Sequence, residues 1–315
     1  MATQKAAQTK KPAVKKKSNA LLIILISVGA VFGLFLLLII AVIAFGTPSA
    51  ETVFKNMQEE MLKTKSVTIN QDYNGSGENG EAINLKSKAY INMESSKNLK
   101  AKGDFTLSLT SEGTPLEASA SYVSTGDNTY IKFTEISSSS PELSATFSQV
   151  NSKLKGQWIK TSDSDSFSTF ANIPLESYTS VLPTPYANLT ESQRQAVLKL
   201  LQDSDMFTIE ESSKVKIGDE NAYKYQITYN EDQYKKVVNT IGKYVDYFKP
   251  DNSSDSEIKD LTVWVNINTS QIIKIEFAGT SKQGNIEGKI EFSNYNKDLE
   301  INKPSDYSLE SELLK

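Results

Sequence analysis

A long uncharged segment near the N-terminus constrains this chain more than any other feature. Residues Ala20 to Phe45 read ALLIILISVGAVFGLFLLLIIAVIAF, with no charged side chain among 26 residues. As a helix the segment would be about 39 Å long at about 1.5 Å per residue, and the hydrocarbon core of a bilayer is about 30 Å thick. Because that core offers no water to backbone N–H and C=O groups, a single span must be helical. The sequence therefore predicts one transmembrane helix over residues 20–45.

The charges beside this segment predict its orientation. Basic side chains and no acidic ones precede the span: Lys5, Lys10, Lys11, Lys15, Lys16 and Lys17. By the positive-inside rule, residues 1–19 form a basic cytoplasmic tail and residues 46–315 form a domain outside the cell membrane. A cleaved signal peptide is the alternative, since small residues follow in TPSA. Signal peptides carry apolar regions of about 7–15 residues, so the greater length here favours a retained anchor.

Two glycines within the predicted span form a G-x-x-x-G motif, Gly29 and Gly33. Such a motif lets two helices approach closely, which would produce a weak dimer through the membrane. Glycine is also simply common in transmembrane helices. Both interpretations remain open at this point.

Composition excludes several function classes for the outer domain. The chain has no cysteine and no histidine, which removes thiol nucleophiles, disulfides, the usual zinc ligands and histidine-dependent triads. Beyond residue 50, 28 basic and 38 acidic side chains give a net charge of −10, which disfavours nucleic acid as a partner. The stretch DYNGSGENGEAI begins like a calcium loop at Asp72 but carries Ile83 where a glutamate belongs, which favours a hairpin. The sequence thus predicts no enzyme, no catalytic residue, no metal site and no cofactor.

Alternating apolar residues indicate β-strands through most of the outer domain. In LTVWVNINTSQIIKIEF, residues 261–277, the pattern alternates, turns at residues 268–271, and alternates again. Successive strand side chains point to opposite faces. One face should therefore carry Leu261, Val263, Val265 and Ile267 on the first strand and Ile273, Ile275 and Phe277 on the return strand, with Trp264 on the other face.

The number and order of the predicted elements indicate an α+β fold. About ten or eleven short strands are separated by glycine, serine or asparagine, which is typical of antiparallel hairpins. About four amphipathic helices accompany them, over residues 48–65, 140–154, 190–201 and 230–248. The third opens with a capping box, Thr190 and Gln193. Because no βαβ rhythm is visible, the sheet should be antiparallel.

The outer domain resembles a known family. The resemblance is carried by the N-terminal helix after an export signal, by GQWIK at residues 156–160, and by the C-terminal segments DLTVWVNINTSQIIKIEF and GKIEFSNYNKDLEINKPSD. The chain is similar to the LolA-like fold, and most closely to LppX/LprG-type envelope lipoproteins. The resemblance implies a curved half-barrel sheet closed by helices over an apolar cavity that holds lipid. That family is anchored through a lipidated cysteine, which this chain lacks, so the transmembrane helix would replace that anchor.

The predicted function follows from the apolar faces and the resemblance together. We expect a single-pass membrane protein whose outer domain binds a lipid or other apolar ligand between sheet and helices. The candidate cavity residues are Val237, Val238, Ile241, Val245, Val263, Val265, Ile273 and Ile275. The alternative is a protein-interaction or sensor module whose sheet is fully packed by its own helices and leaves no cavity.

Overall fold

A computed structural model of the chain describes residues 48–77, 80–92, 100–111, 113–125, 128–161, 190–203, 207–230, 232–233, 257–281, 284–309 and 312. The predicted basic tail and transmembrane segment lie outside these residues, with Gly29 and Gly33. So do Val237, Val238, Ile241 and Val245 of the predicted fourth helix. Within the described ranges, no helix is both long and apolar enough to cross a membrane.

Within the described residues, twelve strands form one open sheet, in the order β12-β6-β5-β4-β3-β2-β1-β11-β10-β9-β8-β7. The pairing is antiparallel except between β6 and β12. The strands are β1 Ser66–Ser76, β2 Ala82–Asn92, β3 Lys100–Ser111, β4 Thr114–Thr125, β5 Thr129–Ser138, β6 Ile159–Lys160, β7 Phe207–Ile217, β8 Glu220–Tyr229, β9 Glu257–Asn266, β10 Ile272–Ser281, β11 Gly284–Ser293 and β12 Ser308–Leu309.

Three helices lie within the described residues: α1 Pro48–Lys63, α2 Pro141–Leu154 and α3 Glu191–Asp203. The capping box of α3 is confirmed, because Gln193 Oε1 accepts a bond from the Thr190 backbone N–H at 2.8 Å. In return, the Gln193 backbone N–H donates to Thr190 Oγ1 at 3.3 Å. These bonds satisfy backbone donors that a helix start otherwise leaves unpaired.

The strand register divides the sheet into an apolar face and a polar face. In β1 the apolar face carries Val67, Ile69 and Tyr73, all buried. Their partners across the ladders include Ile91 in β2 and Phe292 in β11. The intervening residues of β1 are mostly polar. An apolar face opposite a polar face is the usual arrangement in an antiparallel sheet, and it confirms the predicted α+β class with a largely antiparallel sheet.

The predicted strand count was slightly low, and one hairpin was misplaced. Alternating apolar residues in the sequence predict one strand over about residues 205–211 and a second over about residues 213–229. The structure instead runs β7 through Ser212 and Ser213 and turns at Gly218, whose φ is +56°. Glycine adopts positive φ without steric cost. A bulge between Ile209 and Glu211 breaks the alternation inside β7. Because of this break, the sequence pattern predicted a turn between two strands there.

The C-terminal segment, residues 294–309, crosses the polar face from β1 to β6. The Asn296 backbone N–H donates to the Ser66 carbonyl at 2.8 Å, and Ile301 packs in a small cluster with Tyr90 and Val123. Trp158 packs against that cluster. This segment and Trp158 are among the residues that carry the family resemblance in the sequence. In the structure both make packing contacts and hydrogen bonds within the fold.

Tyr90 makes two hydrogen bonds with the C-terminal segment. Its hydroxyl donates to the Lys297 carbonyl at 2.6 Å and accepts from the Leu299 backbone N–H at 2.9 Å. Tyr90→Phe removes both bonds at a side chain that is only 4% exposed. We expect a loss of about 1–3 kcal/mol in the free energy of unfolding, measured by chemical denaturation. Tyr307→Phe is the control, because Tyr307 is exposed; equal losses in the two variants would contradict the assignment.

Candidate functional site

The apolar face over β8, β9 and β10 contains three of the four predicted cavity residues that the structure describes. Val263, Val265 and Ile275 are each completely buried. The register places Val263 between Tyr225 and Ile275, on the strands to either side. The sequence therefore placed these three residues correctly on one shared face.

Ile273 occupies a different position from the one that alternation predicted. The ladder between β9 and β10 shifts between Ile272 and Lys274, so Ile273 is the extra residue of a β-bulge. Ile272 pairs with Val265 and is fully buried, whereas Ile273 is half-buried. A bulge sets two residues of one strand against one of its neighbour. This is a tertiary feature, so strict alternation in the sequence cannot locate it.

Helix α1 packs on this part of the apolar face. Phe54 and Met57 are almost completely buried. The ring of Phe54 meets the ring of Tyr225 edge to face, with centroids 5.4 Å apart. Edge-to-face contact is a favourable arrangement of aromatic rings. The Tyr225 hydroxyl donates to the Ala50 carbonyl at 3.1 Å, so the first turn of α1 is fixed to β8 by a polar contact as well as by packing.

Burial governs the ionisation of the tyrosines on this face. Desolvation raises the pKa of Tyr225 well above its usual range, and the neighbouring Tyr223 adds to the effect. Burial raises the pKa of Tyr73 in the same direction. A tyrosine hydroxyl is already neutral at physiological pH, since its usual pKa is about 10, and the raised pKa keeps these two hydroxyls neutral in more alkaline solution. The resulting surface is apolar and uncharged, with the chemical character of a wall against which hydrocarbon can pack.

The Tyr225 shift predicts a pH dependence. A neutral acid whose folded-state pKa is raised loses stability as pH rises above its unfolded pKa of about 10. Above that pH, each such group lowers the free energy of unfolding by about 1.4 kcal/mol per pH unit. We expect Tyr225→Phe to reduce the slope of unfolding free energy against pH between about pH 10 and 11. Denaturant titrations at several pH values measure it, and an unchanged slope would contradict the assignment.

The apolar face continues without a break to the far side of the sheet. Tyr73 in β1 and Phe277 in β10 have ring centroids 6.3 Å apart. Beyond β3, helix α2 covers a second cluster of buried residues, which are Ala120, Ile131, Phe133, Leu154 and Ile159. Helices α1 and α2 therefore pack at separate places on one extended apolar surface.

Trp264 lies on the polar face, where lysines from both neighbouring strands cover its ring. Lys274 Nζ is 3.8 Å from the ring centroid, and Lys224 Nζ is 5.8 Å away on the other side. Lys274 also pairs with Glu276 at 2.8 Å. Cations attract the negative face of an indole ring. The exposed fraction of Trp264 is only 7%, so these contacts explain how a tryptophan is buried on the polar side.

Sequence reasoning missed a groove on the polar face. It has a volume of about 410 Å³ over β1, β11, β10 and β9. Its lining includes Asp72, Asp260, Glu276, Glu287 and Lys289. No group of three or more carboxylates within the described residues is arranged to hold a metal ion. Asp72 and Asn74 lie within β1, so the stretch that began like a calcium loop is part of a hairpin.

Comparison with known proteins supplies structural likenesses only. No family model matches the chain, and no curated protein matches it. The chain is similar to LprF from Mycobacterium bovis, at 14% identity and a TM-score of 0.40, over 83% of this chain and 99% of that one. It is also similar to a LolA superfamily protein from Nitrosomonas europaea, at 12% identity and a TM-score of 0.23, over 81% and 97%. A third similar structure is the MucA/MucB complex from Pseudomonas aeruginosa, at 8% identity and a TM-score of 0.28, over 84% and 60%.

Proposed function

We propose that this chain is a single-pass membrane protein whose outer domain binds a lipid or another apolar ligand. Residues 20–45 would hold it in the cell membrane, with residues 1–19 in the cytoplasm and residues 46–315 outside. The ligand would lie between the apolar face of β8–β10 and the helices. The observation that carries this proposal is the uncharged face around the fully buried Val263. This face continues into the surface on which α1 packs.

The short connection to the predicted span supports a site near the membrane. Only Gly46 and Thr47 separate Phe45 from the first residue of α1, Pro48. Three Cα-to-Cα steps reach about 11 Å at most. Since α1 is fixed to β8 through Tyr225, the β8 end of the apolar face would lie close to the bilayer surface. Acyl chains are abundant there, which favours them over a water-borne ligand.

The proposed cavity has two walls. Val263, Val265 and Ile275 would form the sheet side, and Val237, Val238, Ile241 and Val245 of the predicted helix 230–248 would form the other. Ligand pockets are lined mainly by apolar side chains with few polar groups. Binding would be driven by removal of hydrocarbon from water. The proposal requires no catalytic residue, and a chain without histidine and cysteine offers few candidates for one.

Photolabelling in a bilayer tests the ligand. The full chain is placed in phosphatidylcholine vesicles that contain phosphatidylcholine with a diazirine at the end of one acyl chain. After irradiation and digestion, mass spectrometry locates the adducts. We expect label in residues 20–45 and also on Val263, Val265 and Ile275. Label confined to residues 20–45 would reject lipid binding and favour the interaction or sensor module.

Alternation along β9 supplies an internal control for that experiment. Thr262 and Trp264 lie on the polar face, between the apolar positions Leu261, Val263 and Val265. Carbene label from a bound acyl chain should therefore fall on every second residue. Uniform labelling along β9 would indicate non-specific contact with the vesicle and would count against a defined cavity.

Protease accessibility tests the proposed orientation. Protease added outside intact cells is expected to remove residues that follow the predicted span, while an epitope tag at the N-terminus stays protected. The positive-inside rule predicts this result from the six lysines alone. A protected outer domain would overturn the orientation. Mature protein that begins near Glu51 and is free in the medium would overturn the anchor.

A further inference from the structure

One polar pair interrupts the apolar face of the sheet near its centre. Gln71 in β1 and Ser87 in β2 are register partners, and the Ser87 hydroxyl donates to Gln71 Oε1 at 3.0 Å. Both belong to a row of cross-strand partners that runs from β8 to β5. The other members of the row are aliphatic or aromatic, namely Tyr225, Val263, Ile275, Ile290, Phe105, Ala120 and Phe133. Apolar packing alone therefore does not account for this pair.

The amide of Gln71 has donors that the fold does not use. A glutamine amide has an oxygen that accepts and an NH2 group that can donate two hydrogen bonds. The oxygen already accepts from Ser87. Among the residues that the structure describes, no group accepts a hydrogen bond from Gln71 Nε2. Because an unpaired polar group is costly in apolar surroundings, a bound group that accepts from this amide would be stabilised.

The sheet around this pair is accessible. Gln71, Ser87 and Phe105 are half-buried, whereas Val263 and Ile275 in the same row are completely buried. Helix α1 packs near one end of the row and helix α2 near the other. The unused amide donors therefore lie on the part of the apolar face between these two helices, where a ligand can reach them.

The surroundings of the amide favour an acceptor without charge. Lys86 and Lys88 flank Ser87 in the sequence, but alternation places both on the polar face, where Lys86 pairs with Asp72 at 3.7 Å. Within the described strands, no basic side chain is a register partner of Gln71. A phosphate or carboxylate at this point would lose water without gaining a counter-ion, which is costly. A carbonyl oxygen accepts hydrogen bonds and carries no net charge.

We propose that Gln71 anchors the ligand of the apolar face by donating hydrogen bonds to the ester carbonyl of an acyl chain, with Ser87 as a positioning residue that holds the amide. This inference rests on the proposed lipid-binding function and specifies its ligand as an acyl ester of a membrane glycerolipid. A small number of polar groups in an apolar pocket usually fixes the orientation of the ligand. Here the carbonyl lies at β1, and the chain extends across β11 and β10 towards β9.

The width of the sheet between these strands fits one acyl chain. Three strand spacings of about 4.8 Å separate β1 from β9, which gives about 14 Å along the sheet. One layer of acyl chains fills half of the hydrocarbon core of a bilayer, about 15 Å. When the ester carbonyl is bonded to Gln71, the end of the chain can therefore reach Val263.

Paired ester and ether lipids test the anchor. The full chain is placed in vesicles of diether phosphatidylcholine, which has no carbonyl group. The vesicles also contain equal small amounts of two phosphatidylcholine probes, one ester-linked and one ether-linked, each with a diazirine at the end of one chain. Mass spectrometry gives the ester-to-ether ratio of adducts on β9 and β10, divided by the same ratio on residues 20–45. We expect about fivefold enrichment of the ester probe, which corresponds to one net hydrogen bond.

Matched substitutions assign this enrichment to Gln71. Gln71→Met keeps an unbranched side chain and removes the donors. A second variant adds Ser87→Ala, so that no hydroxyl is left without its acceptor. We expect both variants to bring the normalised ratio to about one, because the hydrogen bond to the ester is lost. Gln226→Met makes the same change at an exposed glutamine on the polar face of β8 and should keep the enrichment.

The outcomes separate this inference from the proposed function. Equal labelling of the sheet by both probes in the parent chain would overturn the anchor and leave lipid binding intact. Absence of label from the sheet with either probe would overturn both. If the pair serves only to join β1 and β2, the double variant will have a lower denaturation midpoint and the parental ester-to-ether ratio. That result would also overturn the anchor.

Discussion

Replacing Phe54 by alanine is expected to lower the free energy of unfolding by about 3–5 kcal/mol. The side chain is 1% exposed and packs edge to face on Tyr225. Its removal leaves a cavity between α1 and β8 and also removes the aromatic contact. Chemical denaturation of the full chain in detergent micelles measures the loss, with Trp158 and Trp264 as fluorescence reporters of the folded domain.

The neighbouring residue on α1 provides the control for Phe54. Lys55 is exposed, so Lys55→Ala should change stability by no more than about 0.5 kcal/mol. The variant Phe54→Leu keeps much of the apolar volume and should lie between the two. A loss below about 1 kcal/mol for Phe54→Ala would contradict the packing of α1 on the apolar face.

Gly103→Ala is expected to destabilise the protein by about 3 kcal/mol, although alanine normally stabilises a strand relative to glycine. A Cβ atom at this position would overlap the carbonyl oxygen of Lys88 and lie 3.0 Å from both Ala89 Cα and Tyr122 Cε1. The first two atoms belong to the backbone of β2, so a side-chain rotation cannot relieve the overlap. Denaturation midpoints of the variant and the parent chain measure the effect.

Thr106→Ala on the same strand is the control for Gly103→Ala. Thr106 is exposed and its hydroxyl is within 3.1 Å of Ser119 Oγ on the polar face. We expect Thr106→Ala to lower the free energy of unfolding by no more than about 1 kcal/mol. A stability gain for Gly103→Ala would show that β2 and β3 are farther apart at this point than the register implies.

Much of the local structure could be predicted because it depends on neighbours in sequence. The capping box at Thr190 and Gln193 is confirmed. Val263, Val265 and Ile275 lie on one buried face, as alternation predicted. Each of these features is set by spacing within a few residues.

The errors arose where one extra residue interrupts the alternation. The bulge at Ile273 brings Ile272 into register with Val265, and the bulge in β7 imitated a turn near Ser212. Whether a strand bulges depends on the strand beside it, which the local pattern does not specify. The cation–π contacts of Trp264 also depend on neighbours, since Lys224 and Lys274 come from different strands.

By itself, the sequence determined the uncharged segment over residues 20–45, the absence of cysteine and histidine, and the two faces of the strands. These properties follow from residue type and short-range periodicity. Only the tertiary structure decided the strand order, the course of residues 294–309 across the polar face, and the position of β7 at an edge. Those outcomes depend on hydrogen bonds and packing between residues distant in the chain, and one sequence contains no direct record of such pairings.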